Sequence, residues 1–216
     1  MPQYRYDIKQ NTDEWYEIKI GKFSASTCAD LLMAETTKGY VNLIDKIVEE
    51  RITGKPSESK TFKGNAFTER GHELEPVNRD DYEMRTFNNV SIVGVVELDE
   101  WVLCSPDGLI GESMVWQAKC PIFNTQKKYL KLIERHNELP DNDILKKIDG
   151  NYYKQEQFEL FVTGRSQAVW TSYHPNLTAI DLIIERDLVM IAEIESRIIQ
   201  AKEEVLNEIK LLKSYE

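Results

Sequence analysis

No run of the 216 residues approaches the roughly eighteen apolar positions of a membrane helix. The N-terminal stretch "MPQYRYDIKQ" lacks the apolar segment of a secretory signal, so a cytoplasmic protein with no membrane partner is expected. Cysteine is scarce: Cys28, Cys104 and Cys120 are odd in number and show no CxxC spacing. That excludes a disulfide framework or a cysteine-zinc site and points to reduced thiols, with Cys104 and Cys120 as small core residues. The three histidines, His72, His136 and His174, make no metal-ligand spacing. GxSxG and P-loop patterns are missing, which removes serine-hydrolase and nucleotide-triphosphatase readings. With only 10 glycines and 7 prolines there is no low-complexity linker and no visible repeat. One domain spanning 1–216 is expected.

Positive charge is also in deficit. A formal charge of −10 argues against a protein that coats nucleic acid, since phosphate binding rests on Lys and Arg releasing counterions. The cations are nevertheless concentrated: Lys19, Lys22, Lys46, Arg51, Lys55, Lys60, Lys63, Arg70 and Arg79 in the first half, then Lys119, Lys127, Lys128 and Lys131. Binding to DNA would require a local basic groove on an acidic body.

What is present reads as an α/β (α+β) chain. "NTDEWYEIKIG", capped at Asn11 or Thr12, "SASTCADLLMA" from Ser24, and "YVNLIDKIVEERITG" up to Gly54 predict N-terminal helices over about 12–54. "KPSESKTFKGN" reads as a surface loop, and a helix follows from about Phe67 to Tyr82, with Pro76 in its first turns or kinking it. "VSIVGVVEL", "WVLCS" and "SMVWQAK" are strand-like, with "DGLIGES" as a tight turn. Two helical stretches, "IFNTQKKYLKLIERH" and "NYYKQEQFELFVTG", precede strands "SQAVWTSYH" and "LTAIDLIIE". A long C-terminal helix over about 187–213 closes the chain, its stripe of Ile191, Ile194, Ile198, Ala201, Val205 and Leu212 covering the protein's own sheet in preference to an oligomer seam. The whole is expected to be a central mixed β-sheet flanked by helices.

Chemistry concentrates in "CSPDGLIGESMVWQAKC". Asp107 ends one strand, and Gln117 and Lys119, two apart on the next, share a face from which Ala118 points away. An acid, a second oxygen ligand and an ammonium at a strand end suit a hard divalent cation and attack on a phosphodiester. On the preceding helix Glu73, Glu75 and Arg79 add charge, and Glu75 and Arg79, four apart, share a face.

The segments "TDEWYEIKIGKFSAS", "RGHELEPVNR", "CSPDGL", "WQAKCP" and "KQEQFELF", in this order, resemble the phage lambda exonuclease group, the YqaJ-type viral recombinase nucleases of the PD-(D/E)XK superfamily. The resemblance implies a restriction-endonuclease-like core and a Mg²⁺-dependent 5′→3′ exonuclease acting on ends of linear double-stranded DNA, with Mn²⁺ as a substitute ion. It implies metal ligation by Asp107, the Ala118 carbonyl and Glu75, with Lys119 as the catalytic lysine. It further implies a 5′-phosphate site of Ser26, Ser105 and Gln157, with Lys19 where the family has an arginine, and Trp15 near the DNA entry. A ring-shaped homotrimer, a single-strand annealing protein as partner and a phage or prophage origin in a bacterial host also follow from it. Gln117 departs from the pattern, which has an acid there and two metal ions; an amide oxygen binds a cation without contributing charge. Either the glutamine is natural, or the chain is an inactivated form. The alternatives are an end-binding protein of weakened activity that serves an annealing partner, and an endonuclease or junction resolvase of the same fold.

Overall fold

A computed structural model describes residues 1–58 and 66–215. The expected loop therefore lies partly outside the described residues, as do Lys60 and Lys63. Among the described residues, eight α-helices and nine strands are arranged around two sheets rather than one.

The smaller sheet has the order β1-β4-β5-β2, from β1 (Gln3–Arg5), β4 (Val95–Glu97), β5 (Val102–Cys104) and β2 (Phe23–Ser24). The larger is mixed, with the order β3-β6-β7-β8-β9: β3 (Val90–Ser91), β6 (Gly108–Ile110), β7 (Met114–Lys119), β8 (Gln167–His174) and β9 (Leu177–Glu185). β7 and β8 run parallel, as helical crossovers require, and the other neighbours are antiparallel. β7 lies at the centre, with Val115, Trp116 and Gln117 buried.

The stretch expected to be a turn is half strand. "GLI" forms β6, and the turn proper is confined to 111–113, where Gly111 takes φ +52. Gly108 is needed for close approach, because a Cβ there would stand 2.3 Å from Val90 Cγ1. The register Gly108↔Trp116, Leu109↔Val115, Ile110↔Met114, continued one step, sets Asp107 opposite Gln117. The buried Arg165 guanidinium donates to the carbonyls of Gly111 (2.9 Å) and Met114 (2.8 Å), holding both ends of this turn.

The helices follow their caps. α1 (Asp13–Glu17) starts after Thr12, although neither Thr12 nor Asn11 caps it with a side chain. Ser24 and Thr27 form a capping box ahead of the short α2 (Cys28–Leu31). Thr37 caps α3 (Lys38–Thr53), which Gly54 ends at φ +65. α4 (Ala66–Thr86) is longer than expected at both ends, and Pro76 sits in its middle. α5 (Phe123–Arg135) and α7 (Gly150–Thr163) match their patterns, whereas α6 (Asp141–Ile148) lies between them unforeseen.

α8 (Leu188–Lys213) buries Ile191, Ile194, Ile198, Ala201 and Val205, but against α2, α3 and α7 rather than a sheet, and Leu212 is exposed. The main core therefore extends from the helical layer through β5 to β7 and β8, enclosing Tyr40, Ile47, Cys104, Phe158 and Trp170. Burial of this apolar surface is the principal stabilising term, at about 25 cal/mol per Å². Cys28 and Cys104 are buried, but Cys120 is only half-buried, at the mouth of a cleft; all three are free thiols. No helix among the described residues is long and apolar enough to cross a membrane.

Candidate active site

A cleft of about 200 Å³ opens at the ends of β5 and β7, between the N-terminal helices, α4 and α7. Trp15, Lys19, Ser26, Glu75, Ser105, Asp107 and Gln117 line it, bringing together seven of the ten residues singled out from the sequence. A neighbouring hollow of about 210 Å³ shares His72, Glu75, Asp107 and Gln117 and adds Ala118 and Lys119.

The hairpin creates the chemical end. Asp107 sits at the bend just before β6, and its Oδ2 accepts the Ala118 backbone N–H at 2.8 Å, fixing the carboxylate against β7. Gln117 is buried, and its Oε1 has no hydrogen-bond partner, although it faces the cleft. An unpartnered acceptor costs about 1–3 kcal/mol. Lys119 lies one strand repeat further on, its Nζ 5.0 Å from the centre of the Tyr152 ring. α4 brings Glu75 across the opening. Arg70 on the same helix donates to the carbonyls of Cys120 and Pro121 (3.3 and 3.4 Å), which pins α4 to the chain just after Lys119.

Burial dominates the electrostatics. It raises the Glu75 carboxyl to about 7, helped by the Asp107 charge and opposed by Arg79 and Lys119. Burial also raises Asp107, against the pull of Lys119 and the Ala118 N–H. Desolvation lowers Lys19 to about 8, and its ammonium sits 3.6 Å from the centre of the Trp15 ring.

The other end is a polar cradle. Trp15 Nε1 donates to Ser105 Oγ at 3.0 Å and to the Gly94 carbonyl at 3.2 Å. Exposed Ser26 lies 3.1 Å from Ser24 Oγ at the start of the short helical turn before α2. Two hydroxyls, an ammonium and an indole edge form an anion-binding set.

Gln157 does not join them. It is fully buried on the far side of α7, where Nε2 donates to the Glu185 carbonyl (2.9 Å) and Oε1 accepts the Asp187 N–H (2.8 Å), clipping the end of β9 to the start of α8. The cleft is lined by Gln155 instead. α7 is packed nearly all round, so the spacing of its apolar residues does not select the face that carries function. Sequence reasoning also missed His72, Glu159 and Glu156. His72 precedes Glu75 by one helical turn, a spacing that makes the two neighbours. Glu156 and Glu159 sit among apolar residues in "EQFELF", a setting in which carboxylates ask for an explanation; both are fully buried. Burial lifts both, Glu159 to about 8, with Asp107 adding to the rise.

The oxygen-rich donor set of Asp107, Glu75 and the unpartnered Gln117 Oε1 fits a hard divalent cation. No three His, Cys, Asp or Glu side chains among the described residues form a ready ion-binding group.

Several other cations are committed to the fold. Lys22 pairs with Glu97 (2.6 Å), Lys46 with Glu50 (3.6 Å) and Arg79 with Asp80 (3.9 Å), while Arg51 donates to the Gly21 and Glu100 carbonyls. Lys127, Lys128 and Lys131 instead stand exposed on α5, beside Arg135 along a shallow groove.

Residues 14–166 match the YqaJ-like viral recombinase domain family. An alkaline exonuclease from Laribacter hongkongensis has a structure similar to this one, at 30% identity and a TM-score of 0.78, over 94% of this chain and 97% of that one. The same enzyme in complex with dAMP matches equally well. A phage-related exonuclease from Haemophilus somnus 129PT, 14% identical over 90% of this chain and 96% of that one, shares the fold at a TM-score of 0.65. No curated protein matches the sequence. The mixed sheet with the Asp107 hairpin among its inner strands is the restriction-endonuclease-like arrangement of these exonucleases. With most of its length matched by the family and nearly all of it aligned to a 30%-identical exonuclease, the chain belongs to the YqaJ-like viral recombinase domain family.

Proposed function

We propose that the protein is a Mg²⁺-dependent 5′→3′ exonuclease that degrades one strand of linear double-stranded DNA and leaves 3′ single-stranded overhangs for annealing. The observation that carries this reading is one cleft with two chemically distinct ends, a carboxylate–amide–lysine end and a hydroxyl–ammonium–indole end.

Asp107, Glu75, Gln117 and the Ala118 carbonyl are the groups that would hold the divalent cation. When bound, Mg²⁺ polarises the scissile phosphate and makes water more acidic. Lys119 orients the attacking water and offsets the negative charge that builds on the phosphorane. Ser26, Ser105 and Lys19 hold the terminal 5′-phosphate, and Gln155 lines the same space. Trp15 keeps Ser105 in place through its indole N–H and supports Lys19 against its ring face. Seizing the 5′-phosphate next to the reacting carboxylates sets the polarity. The relative from Laribacter holds dAMP, a deoxynucleoside monophosphate such as an exonuclease releases. Exposed Lys127, Lys128 and Lys131 give the duplex a local cationic track on an acidic body.

The broader setting is one nuclease domain assembled as a ring-shaped homotrimer. It works in the cytoplasm of a bacterial host, encoded by a phage or prophage, and supplies a single-strand annealing protein. Gln117 favours low activity, because it withholds one negative charge from the cation site.

The test is digestion of 5′-phosphorylated linear duplex with Mg²⁺ or Mn²⁺, reading mononucleotide release. Asp107→Ala is expected to abolish release, and Gln117→Glu to raise it. Undiminished digestion by Asp107→Ala refutes the site; binding of DNA ends without hydrolysis by any version points to the end-binding alternative.

A further inference from the structure

Glu156 and Glu159 have no evident reason to be where they are. Both are fully buried on α7, three apart and so on neighbouring positions of one face. Glu159 Oε1 accepts from Gln155 Nε2 at 3.1 Å, but its Oε2 has no hydrogen-bond partner, and neither oxygen of Glu156 has one. Gln117 Oε1, on the strand packed against this helix, is a further buried acceptor without a donor. A buried carboxylate without partners is among the costliest groups a fold retains. Unpartnered oxygens gathered around one cleft share a single deficiency, which is positive charge.

The balance of charges specifies how much. Lys19 and Lys119 are the lysines at the cleft, and they offset Glu75 and Asp107. Arg79, near Glu75, is paired with Asp80, and His72 lines the wall. A divalent cation entering this neutral set finds no net negative charge unless further acids contribute. Glu159 lines the cleft and interacts with Asp107, Lys119 and Lys19; Glu156, one turn earlier on α7, interacts with Glu159, Lys119 and Asp107. Two carboxylates are the complement that a doubly charged ion requires.

We propose that Glu156 and Glu159 are the charge-balancing carboxylates of the divalent-cation site, supplying from α7 the negative charge that Gln117 does not supply from β7. The inference rests on the metal-dependent reading above. The pair acts across the ion's water shell, since no three acidic side chains among the described residues converge to clasp an ion directly, and Mg²⁺ keeps several waters in any case. Both are positioning residues, outside the set that touches substrate.

The experiment measures Mn²⁺ affinity of the full chain without DNA, by isothermal titration calorimetry. The proteins are the unmodified chain, Glu159→Gln, Glu156→Gln, Gln117→Glu and the Gln117→Glu/Glu159→Gln double variant. Glu159→Gln and Glu156→Gln are each expected to weaken Mn²⁺ binding about tenfold or more, the range for outer-shell partners. Adding Gln117→Glu to Glu159→Gln should restore affinity to within a few-fold of the unmodified chain, because the charge returns from the strand side. Circular dichroism checks folding, and if one glutamine variant fails to fold the other carries the measurement. Affinities of both variants within twofold of the unmodified chain overturn the proposal and leave the nuclease reading intact. An unmodified chain that takes up no Mn²⁺ at millimolar concentration overturns both.

Discussion

Withdrawing metal should turn the cleft into a pH-dependent weakness of the fold. In chelator, Glu159 stands among Asp107, Glu156, Lys119, Lys19 and Gln155, and burial lifts its carboxyl from an ordinary 4.5 to about 8. A raised carboxyl binds its proton more tightly in the folded than in the unfolded chain. Its stabilising contribution is therefore complete below pH 4.5 and is lost as pH rises to about 8. At about 1.4 kcal/mol per unit, the full span is roughly 5 kcal/mol, and Glu75, lifted to about 7, loses stability in the same direction. Because these carboxyls titrate as a set, Glu159's own part is about 2–5 kcal/mol, or roughly 5–15 °C in melting temperature for a chain of this size. Lys19, lowered to about 8, acts in the opposite sense above that pH and marks the upper end of the window. The assay is thermal unfolding in chelator at one-unit steps from pH 4 to 8, for the unmodified chain and Glu159→Gln. The unmodified chain should lose melting temperature progressively, and the variant, with no charge to bury at 159, should lose much less. Parallel curves would refute the reasoning, because they would mean that Glu159 binds its proton no more tightly in the folded chain than in the unfolded one.

Two further outcomes are expected. Gln155→Ala should weaken binding of a 5′-phosphorylated duplex end in chelator while leaving the melting temperature within a few degrees; Gln157→Ala should do the reverse, costing about 1–3 kcal/mol of stability through the lost clip to Glu185 and Asp187 and leaving end binding unchanged. Replacing Lys127, Lys128 and Lys131 together by Glu should flatten the dependence of log affinity for a long duplex on log salt by about 2–3 units, at roughly 0.9 per lost phosphate contact; an unchanged slope would remove α5 from the DNA path.

How far the sequence was legible depended on whether a signal was local. Thr37 and Gly54 bracket α3 as expected from their capping chemistry, and the apolar run in β7 announced its central position. Asp107, Gln117 and Lys119 could be placed together because strand alternation and a short turn are local rules. β1 and β2, of three and two residues, exist through pairing with distant segments and leave no periodicity to read, and "VSIVGVVEL", strand-like as one stretch, divides into β3 and β4 in different sheets. β6 was hidden by its glycine, which looks like a turn former until the contact with Val90 across the sheet is known. The choice between Gln155 and Gln157 was illegible for a third reason: burial of α7 on nearly all sides erases the contrast between faces.

The hairpin held by Arg165 works as a ruler. Three residues bridge Ile110 and Met114, and this length alone brings position 107 level with position 117. One residue more or fewer in the bridge would shift β7 by a step against Asp107 and exchange its faces, presenting Ala118 where Gln117 and Lys119 now stand. A surface turn ordinarily tolerates changes in length, but this one carries a metric function, so drift should be free in side chains at 112 and 113, held to glycine at 111 by its φ of +52, and closed to insertions and deletions throughout.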